Sequence, residues 1–450
     1  MEIAKAEAIL KKALGFSRRA YEFEASIGGG SHSLTRFANS VIHQNVSETR
    51  YQLSARNLFG KKTGRAVTNK FSDDDIASAV GTSETVARAQ PDIPELLPLP
   101  GPQSYSPVDA FDAETAAFSP DARADAVKKA VGLCRKNGFQ AAGYFSTSSG
   151  SIGGYGEISP LAMVNSNGLF ASHCGTEASF SITAMADDSS GWAQATSWRV
   201  SDIDAPALAS IAIEKAKRSS KPKAIEPGKY TVILEPAAVA ELLMYMSWLG
   251  FGALQVQEGR SFMSGKIGQR LFGQNVSIYD DVYDDLLRGR PFDCEGTPVQ
   301  RVVIAENGVI QGPIYDRMTA AKENRQSTGH GLPVPNTQGP QPASIVMKAE
   351  KPVPLAKLVS SVERCILVTR FWYVNVVDPM KVVLTGMTRD GTFLVEKGKI
   401  TTGIRNFRFN QNVIELLNNI EAMSVPVRSG PCVVPGLLVT GFNFSSGTEF

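Results

Sequence analysis

Six prolines fall between Pro91 and Pro107, in a stretch that includes PDIPELLPLPGP. Each fixes φ and removes a backbone donor, so the stretch can be neither a helix nor a central strand. It must run as a linker or as a surface strap. A second break, SSKPKAIEPG at Ser219–Gly228, again mixes Pro, Gly and charge. The two breaks divide 450 residues, too many for one ordinary core, into sections at 1–90, 91–225 and 226–450. The first two sections also read as one unit.

Periodicity predicts the elements. MEIAKAEAILKKALG spaces its charges as an amphipathic helix does, and no uninterrupted apolar stretch follows. Residues from about 20 to 70 read as strands, among them Tyr51–Asn57 and Arg65–Asn69 around a turn at Gly60. Ser72 followed by three Asp predicts a helix to Gln90, and Ser119-Pro120-Asp121 opens another that stops at Asn137-Gly138. Ala141–Thr147, Leu161–Asn165 and Ala178–Ala186 read as strands, and Pro206–Arg218 as a helix with a basic C-terminal end. Beyond the second break come a strand, Tyr230–Leu234, an apolar helix, Pro236–Leu249, and many short strands. Turns between strands are expected at Asn165–Gly168, Asn307-Gly308, Asp390-Gly391 and Lys397-Gly398. The Gly-rich SIGGG, Ser26–Gly30, and SSGSIGGYG, Ser148–Gly156, read as loops. The fold class is α+β: a mixed N-terminal part with an antiparallel sheet, then a β-rich C-terminal domain with a barrel-like sheet and a few helices.

Bulk charge excludes little but points away from nucleic acid, because 46 basic residues face 44 acidic ones for a net charge of +2. No segment reaches the apolar length that spans a bilayer, so no membrane role is expected. Five cysteines, at 134, 174, 294, 365 and 432, are far apart and never form CxxC. Zinc-ribbon and disulfide frameworks therefore fail, and a cytoplasmic location is expected. There is no GxGxxG opening a helix after a strand, no P-loop and no GxSxG elbow.

LTRFANSVIHQN, Leu34–Asn45, mixes an Arg, an aromatic, amides and a His among small apolar residues, whereas a core-filling stretch would alternate more cleanly. This block resembles the first domain of the TldD/PmbA family. Further blocks resemble the family in its order, to the C-terminus: NSNGLFASHCGTEASFSITA, KYTVILEPAAVAELLMYMSWLG, PFDCEG, STGH at Ser327–His330, and SGPCVVPGLLV. In the TldD branch the strand–helix unit carries an HExxxH motif, whose imidazoles hold a metal while the Glu acts on metal-bound water. Here Glu241 matches that Glu, but Ala240 and Tyr245 stand where the two His would be. Cys432 falls where metal-bearing members place a zinc thiolate. The resemblance thus implies a PmbA (TldE-like) chain with no cofactor of its own, zinc in a TldD-like partner, and a shared chamber for short or unfolded peptides. Other metal-free members imply homodimers instead.

The site candidates are Glu241, His330 and Cys432, with Trp372, Tyr373 and Asn375 for substrate contact, where the family's C-terminal sheet lines the cavity. Glu241 reads as a functional acid or as a solvated helix residue. His330 could donate to a ligand, act as a base, or lock its loop to a carbonyl. Cys432 reads as a buried small hydrophobe, with oxidation or partner contact open. Neighbours on a strand face opposite sides, so one of Trp372 and Tyr373 would line a groove while the other packs. By the same rule, His173 and Cys174 make a poor metal pair. GLPVPNTQGPQP, after His330, reads as a mobile polar loop. The favoured function is a non-catalytic subunit of a peptide-processing metallopeptidase. The alternatives are an independent hydrolase using His330, Cys432 and nearby acids, or a homodimeric peptide-binding protein without catalysis. A third, contact with gyrase or nucleic acid, rests on the family's association with gyrase alone.

Overall fold

The computed structural model describes residues 1–17, 21–151 and 159–448. Helix α1, Ile3–Phe16, leads into strands β1, Glu22–Ala38, β2, Val41–Phe59, and β3, Lys62–Thr68. Helix α2, Asp73–Ala89, starts where Ser72 Oγ accepts from the Asp75 N–H at 3.2 Å, so the predicted cap is the observed one. After the Pro-rich strap come α3, Ala113–Ala117, and α4, Pro120–Lys136, capped by Ser119. Strands β4, Gln140–Gly150, β5, Pro160–Asn165, β6, Phe170–Ser172, β7, Gly175–Ala186, and β8, Ser189–Ser197, follow, and α5, Ala205–Ser219, ends the N-terminal half.

β1 to β8 form one sheet in the order β3-β2-β1-β4-β7-β8, with β5 paired to β1 and β6 to β5. Strands from either side of the Pro-rich stretch thus share one ladder. SIGGG is not a loop: it sits inside β1, which pairs with β2, β4 and β5. Its glycines answer to close approach. A Cβ on Gly29 would lie 2.2 Å from the Arg50 carbonyl oxygen, and one on Gly30 would lie 2.1 Å from that of Ser149. Of the second Gly-rich stretch, Ser148 to Gly150 belong to β4, while residues 152–156 lie outside the described residues.

The C-terminal half starts with β9, Gly228–Leu234, and α6, Pro236–Gly250. Strands β10, Ser277–Asp280, β11, Val302–Glu306, β12, Val309–Ile310, and β13, Ile345–Lys348, follow. Then come β14, Arg364–Asp378, β15, Val383–Glu396, β16, Lys399–Gly403, and β17, Phe407–Asn412. The last are β18, Ile420–Met423, β19, Val427–Ser429, β20, Cys432–Val434, and β21, Leu437–Gly447. One sheet runs β12-β11-β10-β13-β20-β19. The other runs β14-β9-β21-β17-β15, and β15 pairs back onto β14, so five strands close into a barrel. Closure leaves those strands no open edge. α6 packs its face of Ala238, Leu242, Leu243 and Met246 into the core with Val232, Leu234, Phe371 and Phe409. Burying each of its large side chains is worth roughly 1.5–3 kcal/mol. The fold is α+β, as its element order predicts.

Two turn signals come out differently. Asn307 (φ 49°) and Gly308 (φ 80°) turn between β11 and β12 as expected. Asp390 (φ 53°) and Gly391 (φ 127°) do not turn the chain; they sit within β15 opposite a register shift in β14. The same dihedrals that close a hairpin here make a bulge, because the ladder continues on both sides.

The Pro-rich stretch is a strap. Leu96 and Leu99 are buried with Leu58 and with Val334, from the loop after His330. Arg317 Nη2 donates to the Pro98 carbonyl at 2.7 Å and the Tyr105 hydroxyl to that of Gly296 at 2.8 Å. Arg65 donates twice to the Val334 carbonyl, at 3.1 and 2.9 Å. The loop after His330 is thereby pinned to the N-terminal sheet. No helix among the described residues is long and apolar enough to cross a membrane.

Candidate functional site

The candidate residues separate into two places. The first is a groove of about 750 Å³ in front of α6. Positions 241, 244, 245 and 248 recur at helical spacing and form the face that α6 turns to the groove, with Tyr245 also packed against the core. Trp192 and Gln194 of β8, the Gln341–Ala343 loop, Arg370–Trp372 of β14 and the Ser429–Pro431 loop complete the wall. Trp248 is 60% exposed and Met244 44%. Glu241, one turn before Met244, is half-buried and makes no hydrogen bond or ion pair with any described residue. Burial pushes its carboxyl up and the charge of Arg370 pulls it partly back.

Arg370 is committed elsewhere. Its Nε donates to Asp390 Oδ2 at 2.9 Å, and its guanidinium lies 4.8 Å from the Trp192 ring and 5.7 Å from that of Trp372. Arg389 also sits 4.5 Å from the centre of the Trp372 ring. This ladder ties the N-terminal sheet to the barrel. Trp372 lines the groove, but Tyr373 does not pack behind it as strand alternation predicts. Tyr373 is 73% exposed with φ 57°, where the β14–β15 register breaks between Trp372 and Asn375. Phe371 takes the buried position, and Asn375 is exposed with its amide donating to the Tyr373 carbonyl at 3.1 Å.

The second place is closed. His330 is buried, with Nδ1 2.9 Å from Thr328 Oγ1. Its Nε2 lies 3.3 Å from Asp280 Oδ1, near enough for electrostatic contact but off the line of a hydrogen bond. Asp280 accepts from the Ala343 N–H at 2.7 Å and the Ser344 N–H at 3.1 Å. β13 separates Asp280 from Cys432: both residues pair with Ile345. Burial, with Asp280 nearby, pushes the Cys432 thiol up to about 12. His330 and Cys432 are thus neighbours of one buried acid, and neither lines the groove that holds Glu241.

Behind His330 lie Asp293 and Glu295 of PFDCEG, both buried. Asp293 accepts from the N–H groups of Glu295, Thr297 and Gly331, at 2.9, 2.9 and 2.7 Å. Burial pushes Asp293 up to about 6, and burial plus the charges of Asp293 and Asp316 push Glu295 up to about 8. Sequence reasoning passed over these acids and Asp280, since spacing does not reveal that a loop acid is buried. His173 is pushed down to about 4, by burial and then by Arg290.

The family's metal can be tested against these residues. Ala240 offers a methyl group, and the Tyr245 hydroxyl donates to the Val374 carbonyl at 2.6 Å. Cys432 is a buried thiol rather than a ready thiolate. None of the chain's four histidines lies on α6, and no three metal-ligating side chains converge among the described residues. These residues do not fit an imidazole-held zinc site.

Comparison with known proteins gives the family and the fold. Residues 102–220 match the PmbA/TldA metallopeptidase central domain, and residues 227–446 match its C-terminal domain. An uncharacterized protein of Methanocaldococcus jannaschii is 35% identical over 175 residues, 39% of this chain and 41% of that protein. A metalloprotease TldD homolog of Haemophilus influenzae is 26% identical over 228 residues, 50% of this chain and 46% of that protein. The chain therefore spans less than half the length of either relative. The fold of TldE from Thermococcus kodakarensis superimposes with a TM-score of 0.85 at 19% identity, covering 97% of this chain and 99% of that one. With matches to two family domains spanning most of its length, the chain belongs to the PmbA/TldD family.

Proposed function

We propose that this chain is a TldE-like subunit, without a metal of its own, in a cytoplasmic TldD-type metallopeptidase assembly that acts on short or unfolded peptides. One observation carries the reading. The motif helix keeps Glu241 and a groove of ligand size, but Ala240 and Tyr245 replace the imidazoles that would hold zinc. The relatives named as metalloproteases support a peptide substrate. An independent hydrolase built on His330 and Cys432 draws no support from their position, because both are buried away from the groove.

The test is metal content by plasma mass spectrometry on untagged protein, together with peptide hydrolysis by the chain alone and mixed with an HExxxH-bearing TldD-like subunit. Expected are far less than one zinc per chain, no hydrolysis alone, and hydrolysis in the mixture. A result of about one zinc per chain would sink the reading. So would chelator-resistant hydrolysis by the chain alone that a His330→Ala variant loses. The mass of the purified chain, alone and mixed, separates a homodimer from a mixed assembly.

A further inference from the structure

We propose that the groove beside α6 binds a primary ammonium group on an apolar body, the N-terminal residue of a peptide, with Glu241 as its counter-ion. The proposal rests on the peptide reading above. Glu241 is the single carboxylate among the described residues that line the groove. Among the described residues it accepts no hydrogen bond and joins no ion pair, although it is half-buried. Such a carboxylate loses hydration without gaining a partner, which is costly unless something else completes it.

The nearby cation does not complete it. Arg370 donates to Asp390 and is flanked by the Trp192 and Trp372 rings, so its charge reaches Glu241 only at a distance. Because Arg370 already has its acid, the described residues lining the groove offer no free cation for an anionic ligand. The rest of the wall suits a cation with an apolar body. The exposed Met244 and Trp248 follow Glu241 along the same helix face, one and two turns on, and Trp372 lines the same groove. Aromatic faces attract ammonium groups, and the apolar wall takes the side chain beside the amine. Capture of a peptide's N-terminal amine is a known mode of recognition.

The test is calorimetric titration of the full chain with three peptides of one length. The first is apolar, lysine-free and has a free N-terminus; the second is its N-acetyl form; the third is the N-acetyl form with one lysine. The free form is expected to bind about tenfold tighter than the acetylated one, with the difference erased in Glu241→Gln. Trp248→Leu is expected to weaken the free form several-fold. Recovery of tight binding by the lysine peptide would support the ammonium site and assign it to side chains as well as chain ends. Equal binding of the first two peptides to the unmodified chain overturns the ammonium proposal and leaves the peptide reading standing. Binding of none of the three overturns the peptide reading and this proposal with it.

Discussion

The groove beside α6 and the closed cluster around Asp280 carry the same kinds of residue, yet they are built to opposite ends. Around Asp280 most polar atoms have a partner: two backbone N–H groups meet its carboxylate, Thr328 meets His330, and three N–H groups meet Asp293. In the groove, Glu241 has none among the described residues, and two large side chains of α6 stand exposed. A buried network that satisfies itself fixes loops in place. A charged group left unsatisfied beside exposed aromatics is available to something from outside. STGH and PFDCEG thus read as structure, and the motif helix without its histidines reads as the binding surface.

The sharpest way to break this contrast is Asp280→Ala. It would strip the acceptor from the Ala343 and Ser344 N–H groups and remove the charge beside His330 Nε2. A loss of about 3–5 kcal/mol in urea unfolding is expected. A loss below about 1 kcal/mol would mean the cluster is not the brace it is taken for.

A smaller effect comes from Glu295. Asp293 and Glu295 titrate higher in the folded chain than in the unfolded one, so the fold holds protons that unfolding releases. Their contribution is fullest below the ordinary carboxylate range. It is lost as pH rises past about 6 for Asp293 and about 8 for Glu295. Glu295→Gln, neutral at every pH, should match the unmodified chain at about pH 4 and be more stable by roughly 1–3 kcal/mol at about pH 9. Thermal unfolding across that range measures it, and parallel curves for the two proteins would refute the assignment.

Glu241→Gln should change stability least, within about 0.5 kcal/mol, because the side chain has no partner to lose among the described residues. A cost above about 2 kcal/mol would show that Glu241 belongs to the structural class after all.

Local chemistry was legible along the chain. Ser72 and Ser119 cap the helices they announce, Asn307-Gly308 makes its hairpin, and Pro91–Pro107 stays out of every helix and strand. The misreadings share a cause. Gly29 and Gly30 read as loop residues because glycine is usually punctuation, but here neighbouring strands come too close for a Cβ. Asp390-Gly391 and Trp372-Tyr373 read as a turn and as an alternating strand. Both lie at bulges of the β14–β15 pair, which a single strand's sequence does not announce. In the site, Glu241 was legible through its motif position, whereas Asp280, Asp293 and Glu295 were not, because their burial comes from loops far apart in sequence.

By itself, the sequence determined the α+β class, the helix caps at Ser72 and Ser119 and the absence of imidazoles at positions 240 and 245. These follow from dihedral preference, hydrogen-bonding capacity and side-chain identity, which act over a few residues. Only the tertiary structure decided that β15 closes on β14, that His330 and Cys432 share a buried acid, and that Glu241 stands alone in an aromatic groove. Those outcomes depend on which distant segments desolvate one another, and no local preference encodes that.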